Sequence, residues 1–179
     1  MKTFTYDRRL QWSECDPAGI IFFPHYAKWM VEGLHMLFFD IGIDPNGRID
    51  SQHTAGLPSV GISLRFHRPA RLHEMVTHEI TVTKIGRSSL SVKHRFFANG
   101  ECLAEADDTR VWVSHSLTDA SLKSVPFSED MRRLLQGTPG KTEAEGAEAQ
   151  EMIGTASAIA ARSALAVEKP AALSDPPKP

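Results

Sequence analysis

The sequence predicts an α+β domain in which one antiparallel sheet wraps a single long helix. Three observations point there. One long segment carries apolar residues at the three-and-four spacing of a helix face, with Phe22, Tyr26, Trp29, Met30, Gly33, Leu37 and Ile41 on it. One segment of alternating apolar and polar residues precedes it, and four strand-like segments follow. The later segments are joined mostly by tight turns, so they pair as neighbours. A sheet curling around the helix is the economical way to bury it.

The elements follow in order. Phe4, Tyr6, Leu10 and Trp12 occupy even positions in Thr3–Trp12, the period of a half-buried strand. A turn-rich loop comes next, Ser13-Glu14-Cys15-Asp16-Pro17-Ala18-Gly19. The helix starts near Phe23. Pro24 suits its first turn, where an N–H has no intrahelical acceptor, and Gly42 suits its end. Leu34 and Phe38 widen the apolar face enough to predict a helix largely wrapped by other structure. Asp44–Gly56 reads as a polar loop. Strands are expected at Ser59–His67, Val76–Ile85, Ser88–Ala98 and Cys102–Ser114, with Gly86-Arg87 and Asn99-Gly100 as turns. A short helix with Ser128 as N-cap closes the domain near Leu135. Such a sheet leaves edges and an outer face to be covered, which predicts an oligomer.

Composition sets the boundary. From Gly137 to Pro179 there is no aromatic residue, but there are eleven alanines and five of the eleven prolines. That stretch offers little with which to build a core. The expected organisation is a folded domain over 1–136 and an Ala/Pro-rich tail over 137–179, disordered or loosely helical. Lys and Arg number 20 against 22 Asp and Glu, a net charge of −2 that gives no hint of a nucleic-acid partner. The N-terminus lacks the apolar run of a signal peptide, and no apolar run is long enough to span a membrane. Two cysteines, Cys15 and Cys102, are too few for a disulfide framework. A cytoplasmic protein is expected.

The run Cys15-Asp16-Pro17-Ala18-Gly19-Ile20-Ile21-Phe22-Phe23-Pro24-His25-Tyr26, with Trp29 beyond it, resembles the signature of the 4-hydroxybenzoyl-CoA thioesterase family. The resemblance covers roughly Phe4–Leu135 and includes the strand–helix–four-strand order. It implies a hotdog fold, usually a dimer that assembles into a tetramer. One departure is visible: Ser13-Glu14 stands where the pattern has a leading Asp, and Glu14 is assigned no role.

Thioester hydrolysis requires a base or nucleophile beside the carbonyl carbon and a donor for the developing oxyanion. The free N–H groups and positive dipole end at the start of the apolar helix suit the second task. The resemblance names the backbone N–H of Phe23. It also makes Asp16 the catalytic carboxylate, attacking the thioester or activating water. Read without the resemblance, Asp16 would simply cap the turn ahead of Pro17.

Coenzyme A carries phosphates, so its groove needs basic side chains and backbone donors. Arg87, Ser88 and Ser89 resemble the family's CoA-binding turn; a solvated turn would look the same. Arg65, Arg68 and Arg71 are a second patch, with a salt-bridged edge strand as the alternative. The acyl pocket is expected between the helix of one subunit and strands of the next, with Trp29, Val31, Pro58, Ser59 and Val60 as its residues and Phe23 and Met30 nearby. Val31, two positions after Trp29, offers no polar group to a phenol, which tilts the expected substrate towards benzoyl-CoA over 4-hydroxybenzoyl-CoA.

The reading is therefore an aromatic acyl-CoA thioesterase, of the kind used in aromatic compound degradation. It needs no cofactor or metal, and its partners are an acyl-CoA substrate and further copies of itself. The alternatives are a thioesterase for short or branched aliphatic acyl-CoA and a non-catalytic acyl-CoA-binding module. The histidine pairs His67/His73 and His78/His94 could meet in space, but neither forms a recognised metal motif.

Overall fold

The computed structural model describes residues 1–138. Eight strands and two helices are placed in this span: β1 (Thr3–Arg9), α1 (Pro24–Asp40), β2 (His53–Gly56), β3 (Ser59–Phe66), β4 (Met75–Ile85), β5 (Ser89–Ala98), β6 (Glu101–Val111), β7 (Val113–Ser116), β8 (Leu122–Ser124) and α2 (Glu129–Leu135). The expected tail, 137–179, lies outside the described residues from residue 139 onward.

Five strands form one antiparallel sheet in the order β1-β4-β5-β6-β3. Their period-two pattern buries one row and half-exposes the other, as in β5, where Leu90, Val92, His94, Phe96 and Ala98 face inward. The inward row packs against Tyr26, Trp29, Met30, Gly33, Leu34, Leu37 and Phe38 of α1. The outward row carries charge pairs: Arg95 with Glu79, and Lys93 with Glu105 at 3.6 Å. That face is therefore polar and needs no cover. β3 is different, because Val60 and Ile62 stand exposed along a free edge.

Asn99 and Gly100 both take positive φ, 52° and 79°, in the tight turn between β5 and β6. Ser128 caps α2 by accepting from the N–H of Met131 at 3.2 Å. Gly42, at φ 75°, follows α1.

Four expectations change. β1 stops at Arg9, and Trp12 opens a 3-10 turn over Trp12–Glu14 with its ring exposed. The stretch expected as a loop to Gly56 ends in β2, too short for periodicity to reveal. The strand expected over Cys102–Ser114 breaks at Trp112, whose N–H donates to the carbonyl of Ser88 at 2.7 Å. Beyond the break the chain leaves the large sheet, and β7 joins a second sheet, β2-β7-β8. Finally, α1 is wrapped on one side only, since Val31, Met36 and Phe39 are exposed in the described chain.

The core has two apolar clusters, one under each half of α1. His78 lies close beneath Gly33. A Cβ at Gly33 would stand 2.6 Å from Ile80 Cδ1 and 2.8 Å from His78 Cε1. Gly33→Ala should therefore lower stability, with an overpacking cost of about 1–3 kcal/mol partly offset by helix propensity of about 1 kcal/mol. A urea titration of the two proteins measures the difference; an unchanged or higher midpoint would refute the close fit.

Candidate active site

The loop between β1 and α1 is a small hairpin. The Asp16 N–H donates to the Ile20 carbonyl at 2.9 Å, Gly19 N–H returns to the Asp16 carbonyl at 3.0 Å, and Cys15 bridges Ile21. Gly19 takes φ 72°, a conformation that favours glycine. Asp16 Oδ1 accepts from the Ala18 N–H at 2.9 Å, so the turn-capping contact is present. The side chain is half-buried and lines a cavity of 490 Å³ with Trp12, Ser13, Cys15, Pro17 and Leu72.

The start of α1 leaves one donor over. Pro24 has no N–H. The N–H groups of Phe22, His25 and Tyr26 donate to the carbonyls of Glu14, Phe22 and Phe23 at 2.9, 2.9 and 3.1 Å. Among the described residues no acceptor meets the Phe23 N–H, at the positive end of a 17-residue helix. The Phe23 side chain is 60% exposed and lines a second, apolar cavity of 320 Å³ with Ile20, Ile21, Tyr26, Phe66 and Pro69. Asp16 and Phe23 thus border two different cavities, at either end of one short loop.

Glu14 is the residue that sequence reasoning missed. It stands two positions before Asp16, so the departure from the signature is Glu for Asp in register. It is buried, with 5% exposure. Oε1 accepts from Arg8 Nη2 at 2.7 Å and from the indole N–H of Trp29 at 2.9 Å, and Oε2 accepts from the Gln11 N–H at 3.0 Å. Burial pushes its pKa up, but the bonds from Gln11 and Trp29 and the charge of Arg8 more than offset this and hold it below the ordinary carboxylate value. An acid two residues from Asp16, with an aromatic donor on the facing helix, was the available signal.

The other expected site residues scatter. Trp29 is fully buried, its N–H held by Glu14, so it does not face an opening of this chain. Met30 is likewise buried, while Val31 is partly exposed. Pro58, Ser59 and Val60 are exposed at the start of β3, where the Ser59 hydroxyl donates to Asp108 at 2.7 Å. Arg87, Ser88 and Ser89 form the turn between β4 and β5. Its carbonyls are already engaged: Arg132 donates to those of Gly86 and Arg87, both at 2.9 Å, and Phe127 N–H also meets that of Arg87.

Register places these groups. Met75, at the start of β4, pairs with Arg9 near the Asp16 loop, while Ile85 lies ten residues on beside the Arg87 turn. Ten strand residues span roughly 33 Å. Ser59 pairs with Arg110 at the Arg87 end, and Phe66 with Ala104 at the Asp16 end. One chain therefore holds the two halves of the expected site at opposite ends of its sheet.

Of the second basic patch, Arg68 is bound to Glu74 and Glu101 and Arg65 to Glu105, the salt-bridged alternative. His78 Nε2 and His94 Nδ1 do meet, at 2.9 Å, in a buried contact in which the two ring nitrogens face each other. Among the described residues no cluster fits a metal ion, and no helix is long and apolar enough to cross a membrane.

Comparison with known proteins gives the family. The model of the Thioesterase-like superfamily matches residues 10–135. The 4-hydroxybenzoyl-CoA thioesterase of Pseudomonas sp. (strain CBS-3) is 26% identical over 118 residues, covering 63% of this chain and 84% of that protein. The 1,4-dihydroxy-2-naphthoyl-CoA hydrolase of Synechococcus elongatus is 21% identical over 138 residues, covering 77% and 98%. The crystal structure of a 4-hydroxybenzoyl-CoA thioesterase mutant complexed with 4-hydroxybenzoyl-CoA matches with a TM-score of 0.68 at 22% identity, covering 75% of this chain and 99% of that one. With five strands packed on one face of a long helix and the family model spanning nearly all of the described residues, the chain belongs to the Thioesterase-like superfamily and is a thioester hydrolase of the hotdog fold.

Proposed function

We propose that the enzyme hydrolyses an aromatic acyl-CoA, of the benzoyl or hydroxybenzoyl type, to the free acid and coenzyme A. The observation that carries this is the unclaimed N–H of Phe23 at the head of α1, one short loop away from the Asp16 carboxylate. In this reading the thioester carbonyl oxygen receives the Phe23 N–H as it gains charge, at the positive end of the helix. Asp16 either attacks the carbonyl carbon, giving a mixed anhydride that water then opens, or takes the proton of an attacking water. In both cases the thiolate of coenzyme A leaves.

Two facts support an aromatic acyl group. The two curated relatives described above carry aromatic acyl-CoA substrates in their names. The cavity beside Phe23 is walled by Phe23, Tyr26 and Phe66, which suits a flat ring. The proposal makes the enzyme a homo-oligomer. A second copy paired antiparallel along the exposed β3 edge would reverse the sheet. Arg87, Ser88 and Ser89 of one copy, with its Pro58, Ser59 and Val60, would then lie on the same side as Asp16 and Phe23 of the other. Val31 would border that seam as an acyl-pocket wall, with Trp29 as its support from within.

A spectrophotometric screen of the full chain against aryl-, branched- and long-chain acyl-CoA thioesters tests the reading. Turnover should be highest on an aryl thioester, and light scattering of the same sample should exceed the 19.8 kDa of one chain. A clear preference for aliphatic thioesters would overturn the substrate class, and coenzyme A binding without turnover would leave a binding module.

A further inference from the structure

We propose that Glu14 is a positioning residue: through Trp29 and Arg8 it clamps the Asp16 loop to α1, and so fixes the carboxylate relative to the Phe23 N–H. The inference rests on the proposed site and adds to it a residue that touches no substrate.

Three elements meet on this one buried carboxylate. Arg8 comes from β1, Trp29 from α1, and Gln11 from the turn that opens the loop. Arg8 is itself fixed twice more. Its guanidinium lies 4.1 Å over the Trp29 ring, and its Nη1 donates to Glu32 of α1 at 2.9 Å. Glu14 also works through its backbone, since its carbonyl accepts the N–H of Phe22, the residue before the free donor. The same residue thus ties down the start of the loop with its side chain and the end of the loop with its carbonyl. Asp16 hangs between the two ties.

A group that must approach a carbonyl carbon tolerates little displacement, and a shift of about 1 Å costs on the order of 100-fold in rate. Removing the carboxylate leaves the carbonyl tie intact but frees the turn to move off α1. For Glu14 the loss should appear in kcat, because it is not among the groups proposed to bind the acyl-CoA; Trp29, which backs the pocket wall, can move KM as well.

The experiment compares wild type, Glu14→Gln, Trp29→Phe and the double variant, with circular dichroism and Tm confirming the fold. Glu14→Gln should lower kcat about tenfold or more while KM moves less than about threefold. Trp29→Phe, which removes the indole donor and keeps an aromatic ring, should lower kcat several-fold. The double variant should be little worse than Glu14→Gln alone, because both break one clamp. Amide hydrogen exchange over Cys15–Ile21 should quicken in each. If kcat stays within twofold of wild type in the folded variants while only Tm falls, Glu14 is structural and the proposal fails. Should Glu14→Gln not fold, Trp29→Phe decides through exchange: a lower kcat with unchanged exchange over Cys15–Ile21 would overturn the clamp. Asp16→Asn is run alongside: if it keeps full turnover, the site reading falls and takes the clamp with it. If it is inactive and the Glu14 and Trp29 variants are not, only the clamp falls.

Discussion

Replacing Asp16 by Asn should lower kcat on the best thioester by a factor on the order of 10³, with KM changed by less than about threefold. The substitution is a clean one because of the local hydrogen bonds. Asp16 Oδ1 accepts from the Ala18 N–H, and the amide oxygen of Asn can accept that bond equally well. The loop ties through Ile20, Gly19 and Glu14 are made by backbone groups or by another side chain, and they remain. What is lost is the negative charge, and with it the capacity either to attack carbon or to take a proton from water. A general base of this kind contributes typically 10²–10⁴-fold, or about 3–5 kcal/mol of transition-state stabilisation. The unfolding midpoint should shift little, since the group is half-buried and loses no partner. Steady-state kinetics and coenzyme A binding by calorimetry check both halves. Wild-type turnover in the Asn variant would remove Asp16 from the chemistry, leaving it as a turn cap. A single turnover in ¹⁸O-water gives a positive test of the first route, because label enters the Asp16 side chain only if the carboxylate has attacked and water then opens the anhydride at the Asp16 carbon.

Much of the fold was legible because its signals are local and periodic. The inward row of β5 and the buried face of α1 repeat at two and at three-to-four residues, and each appears where it was expected. Asn99-Gly100 and Ser128 name their own turn and cap. β2 was missed for the opposite reason. Four residues have no period, and His53–Gly56 is a strand only because β7 lies beside it. The break at Trp112 is equally non-local, fixed by the Ser88 carbonyl and by stacking on Phe38 with ring centroids 6.1 Å apart. At the site, the run from Cys15 to Tyr26 makes Asp16 and Phe23 candidates. Glu14 is not one, because its role lies in partners 6 residues before and 15 after it. Trp29 shows the limit from the other side: helical spacing places an aromatic on the buried face, but the hydrogen bond that orients it, to Glu14, is not visible in the spacing.

Stability should fall as pH drops from 7.5 to 5.5, and one row of side chains with a buried centre, His78, His94 and Asp108, is the reason. Tyr6, His78, His94, Asp108 and Ser59 come one from each strand of the large sheet, in sheet order. Tyr6 Oη lies 3.2 Å from His78 Nδ1, His78 Nε2 is 2.9 Å from His94 Nδ1, His94 Nε2 is 3.8 Å from Asp108, and Ser59 closes the row at 2.7 Å. Asp108, also held by Arg110 at 2.7 Å, stays ionised: burial opposes this, but His94, Ser59 and Arg110 together outweigh it. A carboxylate only accepts, so His94 turns its Nε2–H towards it and takes the His78 Nε2–H on Nδ1. His78 Nδ1 is left to accept from Tyr6. Both rings are thus neutral, each with one N–H and one acceptor in use or aimed. Burial pushes the His78 pKa well below its ordinary value, with His94 and Arg8 adding to it, and burial lowers His94 despite Asp108. The sign follows from proton counts. Below about pH 6.5 the unfolded chain binds more protons at these histidines than the native protein does, so unfolding takes up protons and stability falls as pH falls. Each such proton contributes a slope of up to roughly 1.4 kcal/mol per pH unit. The window lies above the range where carboxylates titrate, so Glu14, Glu74 and Asp108, all held low, do not contribute to it. His35, lowered by burial and by Arg110, adds in the same direction, so a variant is needed to isolate the pair. His94→Gln supplies it, since the amide oxygen can accept from His78 and the NH₂ can face Asp108. Urea unfolding of wild type across this window should show stability falling towards low pH, and His94→Gln should show a measurably shallower slope. An identical slope in the two proteins would mean that the buried pair takes no part in the acid response.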